Sequence, residues 1–232
     1  MKGGAMSGHF ADLETIRSAL SLAARAPSVH NSQPWHWRVG EDSLHLYANG
    51  ELLLPHTDPD GRDLMLSCGA ALNHCVVALA ALGWQTKVRR FPNPAEPDHL
   101  ATLELYPYPP ADLDVALAAA IPRRRTDRRH YSSWPVPRAD IALMGARAAR
   151  AGVLLRRVDD LDNLKRLVND AAFRHGADKD YLAELATWSR RYSSTALFPA
   201  NSVPCSDVTV PIPTRTFPGP VLHPAPHTSP LD

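Results

Sequence analysis

The 232-residue chain has few cysteines and almost no net charge. Its three cysteines form no CxxC pair, which favours reduced thiols and a cytoplasmic location over a disulfide framework. Lys and Arg number 25 against 24 Asp and Glu, for a formal charge of +1. This balance gives no general reason to expect an anionic partner, so we predict neither nucleic acid nor a membrane among the partners.

Long apolar runs and the common catalytic motifs are also missing. The longest apolar stretch, residues 64–82, is interrupted by Ser67, Asn73 and His74, which is typical of a buried helix rather than a membrane span. No long apolar segment follows Lys2, so no signal peptide is predicted. There is no GxSxG, GxGxxG or HExxH, and the eleven histidines show no metal-ligand spacing. We therefore expect no catalytic nucleophile, acid or metal ion.

Regular periodicities are present in the first half. Apolar residues at spacings of three and four predict a helix from Leu13, with Asp12 as its N-cap and Pro27 beyond its end. Asp58-Pro59-Asp60-Gly61 predicts a turn. Residues 64–82 predict a helix that is apolar on nearly every side, and hence central, with Gly83 at its end. Four strands are predicted at 35–39, 44–47, 87–91 and 100–106.

The second half predicts helices at 112–121, 140–151, 161–174 and 179–192, with a strand at 153–158. Alternating helices and strands with one short hairpin favour an α+β class. We divide the chain into a leader (1–9), a first unit (10–110), a partial second unit (111–198) and a tail (199–232).

The tail holds nine of the 22 prolines and almost no periodic apolar pattern. Such a segment cannot offset its ordering entropy by burial, which predicts an extended and largely disordered tail. The alternative is a lid that lies across the protein as a fixed strap, because long loops are often functional.

A polar loop rich in turn residues follows the first helix, APSVHNSQPWHW from Ala26 to Trp37. Its composition alone is typical of a helix exit. The whole string, however, closely resembles the flavin-contacting loop of the nitroreductase superfamily, and more narrowly the Acg family, whose members resemble two fused nitroreductase units. The resemblance, which runs from about Leu13 to about Tyr192, implies that Pro27, Ser28 and Asn31 contact the isoalloxazine and ribityl groups of FMN.

Five arginines lie in seven positions around Thr126. A nucleic-acid patch or a solvated helix exit are the plain alternatives. The run resembles the Arg-Arg-Ser-x-Arg element that binds the FMN phosphate in nitroreductases, and guanidinium groups match phosphate oxygens geometrically. By this resemblance Arg124, Arg125, Thr126 and Arg128 bind the phosphate.

The resemblance implies a nitroreductase-like α+β fold with a central antiparallel or mixed sheet and long core helices, and one FMN site per chain. It implies hydride transfer from NAD(P)H through FMN to a small nitro- or quinone-type acceptor, with the flavin carrying the chemistry. A flavin-sequestering protein without turnover and a truncated remnant are the alternatives. The second unit is expected to lack its closing helix, and a homodimer is expected to cover the open side.

Overall fold

The computed structural model describes residues 10–125 and 135–193, with side chains up to residue 188. By their internal contacts the residues divide into two compact units, Met1–Thr126 and Asp127–Asp232. The predicted leader and tail lie outside the described residues, and so do Thr126 and Arg128.

The first unit contains a four-stranded sheet in the order β1-β2-β4-β3. Every neighbouring pair is antiparallel, so the predicted sheet is antiparallel and not mixed. All four strands predicted from the sequence are present within a few residues. They are β1 (Trp35–Val39), β2 (Ser43–Ala48), β3 (Trp84–Arg90) and β4 (His99–Pro107).

The two faces of the sheet differ in chemistry because side chains alternate along each strand. Leu44 and Leu46 of β2 are buried in the core, whereas His45 and Tyr47 between and beyond them are half-buried on the outer face. The apolar inner face packs against helices, and the outer face carries histidine, tyrosine and charged side chains.

Three helices complete the first unit: α1 (Leu13–Ala23), α2 (Arg62–Ala81) and α3 (Asp112–Ala120). Asp12 caps α1 as predicted, accepting a 2.7 Å hydrogen bond from the Thr15 amide. Asp58 caps α2 by accepting from two amides of its first turn, at 2.9 and 2.7 Å. Gly61 before α2 and Gly83 after it take positive φ angles of 67° and 87°, as predicted for the turn and the helix end.

The core face of α2 consists mainly of small side chains. Ser67, Cys68, Ala71, Cys75, Ala78 and Leu79 are buried, which brings α2 close to α1, α3 and the sheet. The opposite face is open, since Leu66 is 64% exposed. The central position predicted from the sequence is confirmed, because α2 packs against α1, α3, β2 and β3. In the described part of the chain α2 alone has the length and hydropathy of a membrane span, a test that core helices also pass.

The first compact unit extends beyond the boundary at residue 110 predicted from the sequence. Helix α3 packs on α2, and the contacts place it with Met1–Thr126. The division into nitroreductase-like units at residue 110 stays a prediction.

The described residues of the second unit form three helices: α4 (Arg138–Arg150), α5 (Leu161–Ala177) and α6 (Lys179–Ser193). The strand predicted at 153–158 is wrong, because these residues have no regular structure and are all exposed. No strand of the described residues pairs with this segment, and an unpaired strand leaves its backbone groups to water.

Candidate functional site

The loop that follows α1 closes on Ser28. The Ser28 hydroxyl accepts a 3.0 Å hydrogen bond from the Gln33 amide, and the Ser28 carbonyl accepts one of 3.1 Å from the Asn31 amide. Between them Val29–Asn31 forms a short 3₁₀ turn. Ser28 and Asn31 are half-buried and Pro27 is exposed, so the three residues predicted from the loop lie on one compact turn.

Three non-glycine residues of this turn have left-handed backbone angles. The φ angles are 49° at His30, 55° at Asn31 and 50° at Gln33. Residues other than glycine rarely adopt this region, at a cost of about 1–3 kcal/mol each. Strain concentrated in one turn persists only where the surrounding structure fixes it, and such strain is found most often at binding sites.

Several contacts fix the loop. The Pro34 carbonyl accepts from the Asn49 amide at 3.0 Å and from the Cys68 thiol of α2 at 3.2 Å. His30 contacts the Thr57 hydroxyl through Nε2 at 3.5 Å. The loop is thus tied to β2 and to the central helix, which hold its shape from both sides.

The arginine run lies directly against the start of this loop. The Arg25 guanidinium donates to the Pro122 carbonyl at 3.2 Å, and the Arg124 guanidinium donates to the Arg25 carbonyl at 3.4 Å. Arg125 donates to the Pro122 carbonyl at 2.6 Å. Arg25 is two residues before Pro27, so the two motifs, which are almost 100 residues apart in sequence, meet within one unit.

The side chains around Arg124 bring several positive charges close together. Burial, followed by the charges of Arg125 and Arg25, lowers the pKa of the Arg124 guanidinium. Burial and the Arg124 charge lower the pKa of His74 on α2, although a bond to the Leu22 backbone opposes this. The His74 Nδ1 atom is buried without a hydrogen-bond partner. We call Arg25, His74, Arg124 and Arg125 the basic cluster.

Of the predicted site residues, the structure therefore brings Pro27, Ser28, Asn31, Arg124 and Arg125 into one region of the first unit. Thr126 and Arg128 lie outside the described residues. The sequence prediction gave no role to two further members of the basic cluster. Arg25 directly precedes the loop motif, and His74 carries no spacing signal because it approaches the arginines only through helix packing.

Relatives of the chain are found among mycobacterial proteins. A Mycobacterium tuberculosis protein named "Putative NAD(P)H nitroreductase" is 60% identical over 218 residues, which are 94% of this chain and 63% of that protein. A second, named "Putative NAD(P)H nitroreductase acg", is 44% identical over 126 residues, 53% of this chain and 37% of that protein. The chain thus spans less than two thirds of the length of these relatives. No protein-family profile matches it.

Two solved structures overlap with parts of the chain. One is a putative NADH oxidase from Clostridium acetobutylicum, with 17% identity, a TM-score of 0.37 and coverage of 46% of this chain and 81% of that one. The other is a nitroreductase family protein from Streptococcus pneumoniae, with 15% identity, a TM-score of 0.37 and coverage of 58% and 90%. The similarity of this chain to nitroreductases rests on the two Mycobacterium tuberculosis relatives and not on these two structures.

Proposed function

This α+β chain is a relative of the Acg-type nitroreductase-like proteins, and from this we propose that it binds FMN and takes part in NAD(P)H-dependent reduction of a small nitro- or quinone-type acceptor. The observation that carries the proposal is the meeting of the Pro27–Asn31 turn with the basic cluster. A flavin nucleotide has an aromatic ring at one end and a phosphate at the other. The turn suits the ring, and the basic cluster suits the phosphate.

The residues present fit a phosphate. Arg124 and Arg125 place two guanidinium groups at one helix exit, and the charges that act most on Arg124 are themselves positive. An anion among them offsets this repulsion and accepts charge-assisted hydrogen bonds.

The residues present also fit a planar ring. The strained turn presents Ser28 and Asn31 as half-buried polar side chains, while Pro27 supplies an exposed apolar edge. Bound FMN would supply the hydride chemistry. The chain's own residues then bind and orient it: Arg124 and Arg125 hold the phosphate, and Pro27, Ser28 and Asn31 hold the ring and the ribityl chain. Thr126 and Arg128 belong to the same proposed phosphate set.

Because the chain covers 63% of its 60%-identical relative, the acceptor, the nicotinamide donor and the assembly are all proposals. We propose a cytoplasmic protein that forms a homodimer, in which the second copy covers one side of the flavin. NADH or NADPH serves as the electron donor.

Two measurements on the full chain test the proposal. Quenching of flavin fluorescence on titration reports FMN binding, and oxidation of NADPH or NADH in the presence of menadione or a nitroaromatic compound reports turnover. We expect saturable FMN binding and acceptor-dependent NAD(P)H consumption. FMN binding without NAD(P)H consumption would indicate a flavin-sequestering protein and not an enzyme. Absence of FMN binding would refute both functions.

The matched variants are Arg124→Ala and Arg123→Ala. Arg123 belongs to the same run but donates to the Ala119 carbonyl of its own helix, outside the proposed phosphate set. We expect the first variant to weaken FMN binding and the second to leave it unchanged.

A further inference from the structure

Three polar side chains meet on the outer face of the sheet, well apart in sequence from the basic cluster. The His45 Nδ1 and His99 Nε2 atoms are 3.2 Å apart. The Thr102 hydroxyl lies 3.2 Å from each of these nitrogens. The three atoms therefore form a nearly equilateral triangle, which we call the imidazole triangle.

A β-bulge creates the triangle. His45 pairs with Thr102 across the two strands, and Leu46 pairs with Ala101, but Tyr47 pairs with His99. Leu100 is thus an extra residue in β4. Without the bulge, unbroken alternation along β4 would place Leu100 on the outer face and His99 on the inner face, because a shift of one residue exchanges the faces of a strand.

Each ring has a polar group beside its outward nitrogen, and this group favours a lone pair on the inward nitrogen. His45 Nε2 contacts the Ser43 hydroxyl at 3.1 Å, and that hydroxyl donates to the Asp42 carboxylate at 3.4 Å. His99 Nδ1 faces the Glu96 carboxylate at 3.9 Å. Since a carboxylate only accepts and the Ser43 proton is in use, these contacts favour the tautomers in which both imidazoles carry their proton on the outward nitrogen. In the other tautomer of His99, Nε2 donates to His45 Nδ1 across the 3.2 Å contact.

Two lone pairs then face each other with one hydroxyl proton between them. Thr102 satisfies one nitrogen and leaves the other without a donor. The rings cannot turn away freely, because His99 is 7% exposed and stacks on the Tyr47 ring at 4.4 Å between centroids. Metal-binding histidines typically point one ring nitrogen at the metal while the other ring nitrogen faces a polar group, as both rings do here.

We propose that His45 and His99, with Thr102 beside them, bind a divalent late first-row transition metal ion, with water completing its coordination. At metal–nitrogen distances of about 2.0–2.1 Å, neighbouring ligands of a tetrahedral ion are about 3.3 Å apart, close to the 3.2 Å edges of the triangle. Imidazole nitrogen suits copper, nickel and zinc, and affinity in such sites is highest for Cu²⁺.

The charges around the triangle set a moderate affinity. Arg38, opposite His45 on β1, and Arg89, opposite Thr102 on β3, are positive, whereas Asp42 and Glu96 are negative. Burial, His99 and Arg38 together lower the pKa of His45, and only Asp42 opposes them. The described residues contain no group of three or more His, Cys, Asp or Glu side chains at metal-ligand spacing.

Cu²⁺ alone, added below one equivalent to the full chain, is the probe. We expect selective paramagnetic broadening of two histidine ring resonances, assigned with His45→Gln and His99→Gln, and an electron paramagnetic resonance spectrum with two nitrogen ligands. Each of these substitutions lowers the affinity for Cu²⁺ at least tenfold. His36→Gln is the matched control, because His36 lies on the same face and stacks on the other side of Tyr47, outside the triangle.

A control on folding accompanies the titration. Far-ultraviolet circular dichroism identifies any variant that fails to fold, and the wild-type broadening needs no variant to be stable. Cu²⁺ and Zn²⁺ at saturating concentration raise the Tm of wild-type protein by mass action, and this rise is lost in His45→Gln but kept in His36→Gln. Broadening spread evenly over the histidines, or an equal loss of affinity in His36→Gln, would overturn the proposal.

Discussion

Replacing Arg124 by alanine tests the central electrostatic argument most directly. The exposed side chain donates a 3.4 Å hydrogen bond to the Arg25 carbonyl, and Arg125 and Arg25 both repel it. Its removal therefore relieves repulsion and costs little packing. We expect the free energy of unfolding to change by less than about 0.5 kcal/mol, the range of surface substitutions away from structural features.

The effect on FMN binding should be much larger. A hydrogen bond to a charged group contributes about 1.5–3 kcal/mol, which corresponds to a rise in Kd of roughly tenfold to a hundredfold. We expect the lower end, because Arg25 and Arg125 still attract the phosphate. Added salt should weaken the binding of FMN to the wild-type protein, because salt screens exposed charges.

Riboflavin provides the discriminating measurement, since it has the same ring without the phosphate. Fluorescence titrations of wild-type, Arg124→Ala and Arg123→Ala protein with both ligands give six dissociation constants. We expect weaker binding only for FMN with the Arg124→Ala protein. Equal weakening of FMN and riboflavin by Arg124→Ala would refute the phosphate role and make the arginine a structural residue of the loop.

Three further predictions concern the core and the buried polar groups. Leu103→Ala, at a fully buried position, should lower the free energy of unfolding by about 2–5 kcal/mol in urea titrations, whereas Leu66→Ala, at a 64% exposed position, should change it by less than about 0.5 kcal/mol. Burial raises the pKa of Cys68 and Cys75 to about 12, so mass spectrometry should find both thiols unmodified by a thiol reagent at pH 8 until the protein unfolds. The pKa of His74 is below its ordinary value of 6.5, so the unfolded state binds more protons and stability should fall as the pH drops below about 6.5; an unchanged slope in His74→Gln protein would contradict this.

Local sequence patterns predicted most of the regular elements. Asp12 marks the start of α1, Gly61 and Gly83 flank α2, and the alternation in β2 gives its two faces. Caps, turns and periodicities depend on residues within a few positions of one another, so they can be read without knowledge of the fold. The segment 153–158 shows the limit, because a largely apolar segment forms a strand only where a neighbouring strand pairs with it.

The left-handed angles at His30, Asn31 and Gln33 could not be predicted in the same way. Glycine is the usual sequence signal for positive φ, and none of these residues is glycine. Their conformation depends on contacts with Asn49 and Cys68, which are distant in sequence and reach the loop only in the folded chain.

The sequence by itself determined which residue types are available: the polar loop after α1, the arginine run, and an α+β succession of elements. Tertiary structure decided which of them meet. Packing of α3 beside α2 brings the arginines to Arg25 and His74, and one extra residue in β4 turns His99 towards His45. Both arrangements depend on how helices and strands pack at a distance, and since no local pattern encodes that register, only the folded chain reveals the two clusters.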